Sequence, residues 1–338
     1  MVSGYDAILL VSFGGPEGPD DVLPFLENVT RGRNIPRQRL EEVAEHYYHF
    51  GGVSPINAQN RALLAALREE LDRVGINLPL YWGNRNWHPL LPDTVRQMRD
   101  AGVRRALAFI TTPFSGYSSC RQYNENIASA IAEVGEGAPQ IDRIRHYHDH
   151  PGYIGPHAEA LRQALDRLTG DPATRRVVFT AHSIPTAMNA ASGPEGGRYL
   201  KQLTEVATLV MQAAQSDLPW DLVWQSRSGP PQVPWLEPDI NDHLEALAEQ
   251  GVTNVAVSPI GFVSDHLEVV WDLDTEAAAT AKRLGIEFAR AATPGTHPDF
   301  VAMVRELIQE RLDPATPRRK LGSLPVWDTC PADCCASR

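Results

Sequence analysis

This sequence of 338 residues has no long apolar run, no excess of basic side chains and few cysteines. No stretch reaches the roughly 18 apolar residues that a membrane-spanning helix requires. Residues 1–11 contain no basic segment ahead of their short apolar run, so we expect no secretory signal. The sequence therefore predicts a cytoplasmic protein without membrane insertion.

Basic residues are outnumbered by acidic ones. The chain has 31 Lys and Arg against 42 Asp and Glu, which gives a formal net charge of −11. This charge opposes binding to the phosphates of nucleic acids and of anionic membranes. We therefore expect no nucleic-acid partner.

The chain has only four cysteines. In a reducing compartment such thiols stay free, which excludes a disulfide framework of the secreted type. Three of them, Cys330, Cys334 and Cys335, lie within six residues, and Cys120 is distant in the sequence. Four thiolates fit a [2Fe–2S] centre or a structural zinc site, and the spacing does not choose between these. A disordered tail with incidental cysteines is the alternative.

Short apolar runs alternate with amphipathic stretches along most of the chain. The apolar runs predict strands at 7–13, 80–82, 105–111, 177–180, 222–225 and 255–260. The amphipathic stretches predict helices at 61–71, 157–168, 200–214 and 275–284. This alternation predicts an α/β protein with parallel sheets. No complete GxGxxG motif accompanies it, so a dinucleotide cofactor is not expected.

The alternation is too long for one comfortable sheet, so we predict two Rossmann-like domains with an active-site cleft between them. The first covers residues 1–150 and the second covers 151–297. A last helix and the cysteine tail, about 298–338, are expected to pack back on the first domain.

A histidine stands directly after the predicted strand at 177–180. In open α/β sheets, functional groups collect beyond the carboxyl ends of the strands, so we expect His182 at the cleft. An imidazole there can accept or relay a proton near neutral pH, or bind a metal ion. A polar histidine that only caps the strand end is the alternative.

Three carboxylates recur every four residues past the predicted strand at 255–260. On a helix, Glu268, Asp272 and Glu276 form one acidic row. Like charges at this spacing repel by about 0.2–0.5 kcal/mol per pair, a cost that a path for a hard cation offsets. A solvated helix face is the alternative, but the position beyond a strand end favours function.

Two polar segments are candidates for binding an organic anion. Residues 112–123 combine hydroxyl groups with an arginine, and Arg31-Gly32-Arg33 with the loop at 51–55 forms the second segment. Serine and tyrosine can donate hydrogen bonds to carboxylates, and arginine adds charge. Ordinary turn chemistry is the alternative for both, because glycine and proline suggest turns.

Six segments together resemble the ferrochelatases, a family of enzymes that insert iron into porphyrins. They span nearly the whole chain in the family's order: LLVSFGGP at 9–16, YYHFGGVSPIN at 47–57, GNRNWHP at 83–89, TAHSIP at 180–185, QSRSGPPQVPWLEPD at 225–239 and GFVSDHLE at 261–268. The resemblance implies a chelatase-like fold whose two domains clasp a porphyrin.

The resemblance also implies roles for residues of the predicted cleft. His182 and Glu268 match the catalytic pair that faces the macrocycle from both sides and meets the ferrous iron substrate. Asp272 and Glu276 match an outer metal path. For metallation we expect His182 to accept a pyrrole proton while Glu268 delivers iron or relays protons.

The cysteine set resembles that of actinobacterial members, in which it implies one [2Fe–2S] cluster on Cys120, Cys330, Cys334 and Cys335. Such members act on coproporphyrin III in haem biosynthesis, as soluble monomers. The expected product is iron coproporphyrin III, and other enzymes of haem biosynthesis are possible transient partners.

Coproporphyrin III carries four carboxylates, which we expect to meet the polar segments. Ser54 and Tyr123 are the expected hydrogen-bond donors, and Arg31 or Arg33 is expected to supply charge. Phe13 is expected to contact the substrate. Many coproporphyrin-using relatives have a tyrosine there that can bind the product iron, and phenylalanine lacks that oxygen.

Four alternatives stay open at this point. The substrate could be protoporphyrin IX, or the metal could be cobalt or nickel. The chain could instead be a non-catalytic haem or iron carrier, or an iron–sulfur sensor in which the cluster is the function.

Overall fold

The computed structural model describes residues 4–331 and 334–336. Residues 1–3, 332–333 and 337–338, which belong to the predicted first domain and tail, lie outside the described residues. Eight strands form two parallel four-stranded sheets: β1 Ala7–Ser12, β2 Leu80–Asn84, β3 Arg105–Ile110 and β4 Gln140–Arg143 in the first, and β5 Arg175–His182, β6 Trp220–Gln225, β7 Asn254–Ser258 and β8 Glu287–Arg290 in the second.

Helices connect these strands and cover the sheets. Their bounds are α1 Pro19–Val29, α2 Arg37–His49, α3 Ile56–Arg73, α4 Leu91–Asp100, α5 Gln122–Val134, α6 Pro151–Asp166, α7 Thr186–Ala190, α8 Arg198–Ala214, α9 Ile240–Glu249, α10 Leu267–Val269, α11 Ala278–Leu284 and α12 Pro298–Leu312. Two π-helical segments, Tyr117–Arg121 and Val270–Ala277, precede α5 and α11. None of the helices in the described residues combines the length and apolar character needed to cross a bilayer.

The two sheets repeat one topology. The strand order is β2-β1-β3-β4 in the first sheet and β6-β5-β7-β8 in the second, and all neighbours pair in parallel. In this order the first strand of each sheet in the sequence has its successors on opposite sides. The connections on the two sides therefore diverge, and a crevice opens beyond the carboxyl end of that strand. The two crevices lie beyond β1 and β3 and beyond β5 and β7.

The core explains why the strands are apolar on both faces. Ile8 and Leu10 of β1 and Phe179 of β5 belong to one large buried cluster that joins the two halves. Leu9 faces a second cluster behind the first sheet, and Val178 faces a third behind the second sheet. Continuous apolar runs of this kind are typical of parallel strands covered on both sides.

The α/β fold predicted from the sequence is confirmed, and all six predicted strands are present. The short strands β4 and β8 were not predicted, because QIDR and EFAR mix polar and apolar residues at the sheet edges. The helix predicted at 275–284 is π-helical up to Ala277 and α-helical only afterwards. The boundary predicted at residue 150 falls in the connection between the two sheets, and the division into two domains stays a proposal.

A buried ion pair ties the last helix to the end of the first sheet. Arg145, just after β4, donates from Nε and Nη2 to both carboxylate oxygens of Glu310 on α12, at 2.7 and 2.9 Å. Both side chains are almost fully buried. Arg145 Nη2 also donates to the carbonyl oxygen of Arg319 at 2.8 Å. This one side chain thus holds α12 and the start of the tail.

We predict that Arg145→Met lowers the free energy of unfolding by about 3–5 kcal/mol, because it leaves the Glu310 carboxylate buried without its partner. Denaturant unfolding followed by circular dichroism measures the change. Arg37→Met removes an exposed pair with Glu27 and Glu41 and is the control, with an expected loss under about 1 kcal/mol. Equal losses in the two variants would contradict a dominant role for the buried pair.

Candidate active site

The residues beyond the two central strands of the second sheet meet in one place. Strands β5 and β7 are neighbours with Phe179 opposite Ser258, so their carboxyl ends leave the sheet side by side. His182 ends β5, and the segment 261–268 follows β7. The neighbouring carboxyl ends of β5 and β7 thus place the predicted histidine close to the predicted acidic segment.

His182 directs its Nε2 toward Glu268. Its Nδ1 lies 2.5 Å from the carbonyl oxygen of Ser183. A carbonyl only accepts hydrogen bonds, so Nδ1 is the donor in this contact, and a ring with a single proton keeps its lone pair on Nε2. Nε2 lies 3.7 Å from Oε2 of Glu268. Tyr199 fixes the end of the strand by donating its hydroxyl to the His182 carbonyl oxygen at 2.9 Å.

Glu268 is held at the first turn of α10 by a histidine that the sequence analysis did not select. His266 precedes the helix, and its Nδ1 accepts the backbone N–H of Glu268 at 3.2 Å. Burial holds the pKa of His266 below its ordinary value, so the ring stays a neutral acceptor. The Glu268 side chain remains 48% exposed and points its carboxylate toward the cleft.

The segment that carries the predicted acidic row is π-helical over Val270–Ala277. Asp272 is largely buried and accepts hydrogen bonds from Ser226 Oγ and, at 3.3 Å, from Gln225 Nε2. Burial raises the pKa of Asp272 to about 7, and the charges of Glu268 and Glu276 add to the effect. Glu268 and Glu276 are exposed. The three carboxylates therefore differ in solvation, with the middle one the most buried.

A pocket between the halves is lined by Glu268 and Asp272. Its walls come from the first half as well as the second: Phe13, Phe25, Leu26, Val29, Val43, His46, Tyr47, Leu267, Glu268, Trp271 and Asp272. His46 of α2 stacks on Trp271 of the π-helix with ring centroids 4.1 Å apart. Sequence reasoning missed His46, because only this packing across the cleft places it beside the acidic residues.

The residues predicted to bind carboxylates are dispersed. Phe13 lines the pocket between the halves. Ser54 and Tyr123 are buried, and Tyr123 packs in the apolar cluster behind the first sheet. Arg31 and Arg33 are exposed. Arg31 lines a separate surface pocket with Pro24, Glu27, Asn28, Trp87, His88 and Leu90.

Arg85 is a second residue that sequence reasoning missed. Its guanidinium lies over the ring of Tyr123 at 4.5 Å and over the ring of Phe13 at 5.7 Å. Its Nη1 makes only a long hydrogen bond, 3.4 Å, to the carbonyl oxygen of Ser118, and its buried Nε has no partner among the described residues. The residue occurs in the segment GNRNWHP, which gave no separate sign of its role.

The four cysteines come together. Cys120, Cys334 and Cys335 form a buried cluster, and Cys330 packs against it. The sulfur atoms of Cys334 and Cys335 are 3.6 Å apart. Hydrogen bonds from the thiols of Cys330 and Cys335 hold the pKa of Cys120 well below its ordinary value, which favours its thiolate form.

Two donors from the body of the protein reach the tail cysteines. Arg143 of β4 donates from Nη2 to Cys330 Sγ at 2.8 Å. The backbone N–H of Gly193 donates to Cys335 Sγ at 3.1 Å. A buried thiolate surrounded by thiols and by N–H donors is suited to binding a metal centre.

Comparisons with known proteins agree with this arrangement. A family model described as "Ferrochelatase" matches residues 5–312. The chain is 58% identical to "Coproporphyrin III ferrochelatase" of Nocardia farcinica, covering 98% of this chain and 96% of that one. It is 54% identical to "Ferrochelatase" of Rhodopirellula baltica, covering 98% and 93%.

One solved structure reports on the fold alone. The sirohydrochlorin chelatase SirB from Bacillus subtilis subspecies spizizenii, in complex with cobalt, superposes with a TM-score of 0.50 at 12% identity. The match covers 90% of this chain and 94% of that one. The predicted chelatase-like architecture is thus confirmed at the level of the fold.

The raised pKa of Asp272 predicts a pH-dependent stability. Between the ordinary carboxyl pKa and about 7, the folded state binds more protons than the unfolded state, so the free energy of unfolding falls as pH rises through this window. The loss is about 1.4 kcal/mol per pH unit at most, since one proton is involved. Asp272→Asn should not show it.

Denaturant unfolding of both proteins between about pH 5 and pH 7.5 tests this. The advantage of Asp272→Asn over the natural protein should grow with pH. Glu276→Gln changes an exposed carboxylate of the same row and is the matched control. A constant difference between Asp272→Asn and the natural protein would show that Asp272 is not held in a desolvated position.

Proposed function

The chain belongs to the ferrochelatase family, and on that basis we propose that it inserts ferrous iron into coproporphyrin III to give iron coproporphyrin III, a step of haem biosynthesis. The high identity to the Nocardia farcinica coproporphyrin III ferrochelatase over nearly the full length of both chains supports this substrate. Ferrous iron is a substrate in this reaction, and the porphyrin is the other.

Metallation removes two protons from pyrrole nitrogens and several water molecules from the iron. The reaction therefore needs a base near the ring nitrogens and a polar route for the cation. In this proposal His182 Nε2 accepts a pyrrole proton, because Nδ1 is already protonated and bound to Ser183. The 3.7 Å distance between Nε2 and Oε2 of Glu268 is the observation that carries the assignment, because it places a base and a carboxylate at one point of the cleft. A macrocycle held between the two side chains would require them to move apart.

Glu268, Asp272 and Glu276 are proposed to form the route for iron. Carboxylate oxygens are suitable ligands for a hard cation as it exchanges water. Asp272 is held by Ser226 and Gln225 in a largely buried position, so an approaching cation would favour its ionised form. His182 and Glu268 meet the metal at the inner end of this route.

The four substrate carboxylates require cations and hydroxyl groups at the rim of the cleft. Ser54, Tyr123 and one of Arg31 and Arg33 remain our proposed partners. Arg85 joins them, because its guanidinium lies between Phe13 and Tyr123 without an acidic partner among the described ion pairs. Tyr117 lies within electrostatic range of both Arg33 and Arg85, which favours Arg33 over Arg31.

The cysteine site fits a resident metal centre. A buried thiolate at Cys120, the clustering of the other three thiols and the hydrogen bonds that Arg143 and Gly193 donate to sulfur all match a group with anionic sulfur ligands. We propose that Cys120, Cys330, Cys334 and Cys335 hold a [2Fe–2S] cluster, with zinc as the alternative. Such a cluster would supply a structural cross-link and an electron-accepting centre, and metal insertion itself needs no electron transfer.

We also propose a cytoplasmic location, a monomeric state and transient contacts with other enzymes of haem biosynthesis. The two-domain division with a boundary near residue 150 also stays a prediction. A non-catalytic carrier would bind the same porphyrin in the same cleft, so turnover distinguishes it from an enzyme.

For the proposed pair, we predict that His182→Ala lowers the turnover rate by about 100-fold or more, because the proton acceptor is lost. Glu268→Gln should cause a comparable loss while porphyrin affinity is kept. Iron insertion is followed by absorbance and affinity by porphyrin fluorescence. His243→Ala is the control and should keep full activity, because His243 lies on α9 and pairs with Asp221 of β6. Near-normal turnover in a folded His182→Ala protein would exclude this role.

For the carboxylate partners, we predict that coproporphyrin III is metallated in preference to protoporphyrin IX, which has only two carboxylates. Tyr123→Phe and Arg85→Gln should raise KM by about 10-fold each, equivalent to about 1.4 kcal/mol, and change kcat less. Arg104→Gln, which changes an exposed arginine outside the proposed site, is the matched control for charge. Faster metallation of protoporphyrin IX, or a larger effect of Arg104→Gln than of Arg85→Gln, would overturn this assignment.

A further inference from the structure

Arg198 at the start of α8 is a buried cation that forms no ion pair with an acidic side chain among the described residues. Its residue is only 4% exposed, and its Nε has no hydrogen-bond partner among the described residues. Its Nη2 donates to the carbonyl oxygen of Pro325, and its guanidinium lies 4.3 Å from the centre of the Trp327 ring. Both of these neighbours belong to the tail that leads into the cysteines. A buried guanidinium in such surroundings requires a nearby anion.

The cysteine site is the anion that this packing offers. Pro325 and Trp327 lead into the tail cysteines, and Gly193, which lies against the Arg198 stem, donates its N–H to Cys335 Sγ. Neither Glu195 nor Glu205 forms an ion pair with Arg198 among the described residues, and Glu205 is already bound to His148 and Ser323. Burial lowers the pKa of Arg198, and the charge of Cys334 opposes that shift. An oxidised [2Fe–2S] cluster with four thiolates carries a net charge of about two minus. This charge would match two cations, Arg143 and Arg198.

These two cations come from different halves of the molecule. Arg143 ends β4 of the first sheet, whereas Arg198 begins α8, which covers the second sheet. Gly193 lies in the loop before α8 and contributes the N–H that reaches Cys335. Its φ is +71°, and a Cβ there would lie 2.6 Å from Cβ and Cδ of Arg198. The glycine is therefore needed for the arginine stem to pack against the loop that contacts the sulfur.

We propose that Arg198 is the positioning counter-ion of the cysteine-bound group, and that it locks the second half of the molecule onto the tail. The cysteine site then joins three parts: the first half through Cys120 and Arg143, the tail through its three cysteines, and the second half through Gly193 and Arg198. This inference rests on the proposed cluster. It extends the expectation that the site attaches the tail to the first half only.

Three variants of the full chain, purified without oxygen, test this assignment. Arg198→Met removes the charge but keeps a stem of similar shape, and Arg198→Lys keeps a charge. Arg68→Met is the matched control, because Arg68 also donates to backbone carbonyls, those of Ile76 and Leu78, but lies away from the cysteines in the sequence and in its contacts. Iron and sulfide analysis gives the occupancy of the site in each protein.

The first readout is the reduction potential of the cluster, followed by electron paramagnetic resonance. Arg198→Met should shift it to more negative values, because adding an electron is less favourable once a neighbouring positive charge is gone. In Arg198→Lys, which keeps a positive charge, the potential should return most of the way to that of the natural protein. Arg68→Met should leave the potential unchanged. A potential in Arg198→Met equal to that of the natural protein would overturn the counter-ion role.

The second readout is amide hydrogen exchange of residues 192–199. In Arg198→Met with the site filled, exchange should be about fivefold faster or more, as it should be in the natural protein after the metal is removed. Removing the metal from Arg198→Met should cause no further increase. Unchanged exchange in Arg198→Met would contradict the locking role, and Arg198→Lys decides the matter if Arg198→Met does not fold.

The two proposals fail in different ways. Natural protein without iron and sulfide but with zinc would remove the cluster from the proposed function. The exchange experiment would still test Arg198, because zinc bound by four thiolates is also anionic. A cluster present with normal potential and normal exchange in Arg198→Met would instead remove only the role of Arg198.

Discussion

Parallel strand pairing is the constraint on which the cleft depends. Because all strands of a sheet point the same way, their carboxyl ends reach one edge, and the order β6-β5-β7-β8 makes β5 and β7 neighbours. This register brings His182 and the segment carrying Glu268 to within 3.7 Å, although 86 residues separate them in the sequence. The first sheet repeats the order and delivers Phe13 and the loop after β3 to its own crevice. The pocket between the halves then contains residues from both.

The chemistry of the cleft follows from how unequally its ionisable groups are solvated. Glu268 is about half exposed, Asp272 is largely buried with a pKa of about 7, and Glu276 is at the surface. Aromatic residues such as Phe13 and Trp271 line the pocket beside Asp272, and the charge of a cation is more effective near such a buried carboxylate. The hydrogen bonds of His182 to Ser183 and of Ser226 to Asp272 fix both groups before any substrate arrives. A desolvated carboxylate costs stability, and an approaching cation would offset that cost.

The sequence was sufficient for the architecture and for the residues that follow buried strands. The six predicted apolar runs lie in strands of the structure. The expectation that functional groups lie beyond the carboxyl ends of strands selected His182 and Glu268. The edge strands β4 and β8 are too polar to be detected by that pattern. A four-residue interval of carboxylates does not reveal that residues 270–277 are π-helical. His46, Arg85 and Arg198 could not be selected, because each gains its significance from contacts made across distant segments.

The central claim for this molecule is that the protein catalyses repeated iron insertion in the cleft and does not merely bind its ligands there. The direct measurement is the number of product molecules formed per chain when protein is given an excess of ferrous iron and coproporphyrin III without oxygen. An enzyme with His182 as base gives steady formation of many equivalents of iron coproporphyrin III. Formation that stops at one equivalent or less, in protein that binds the porphyrin normally, would contradict catalysis and identify a carrier.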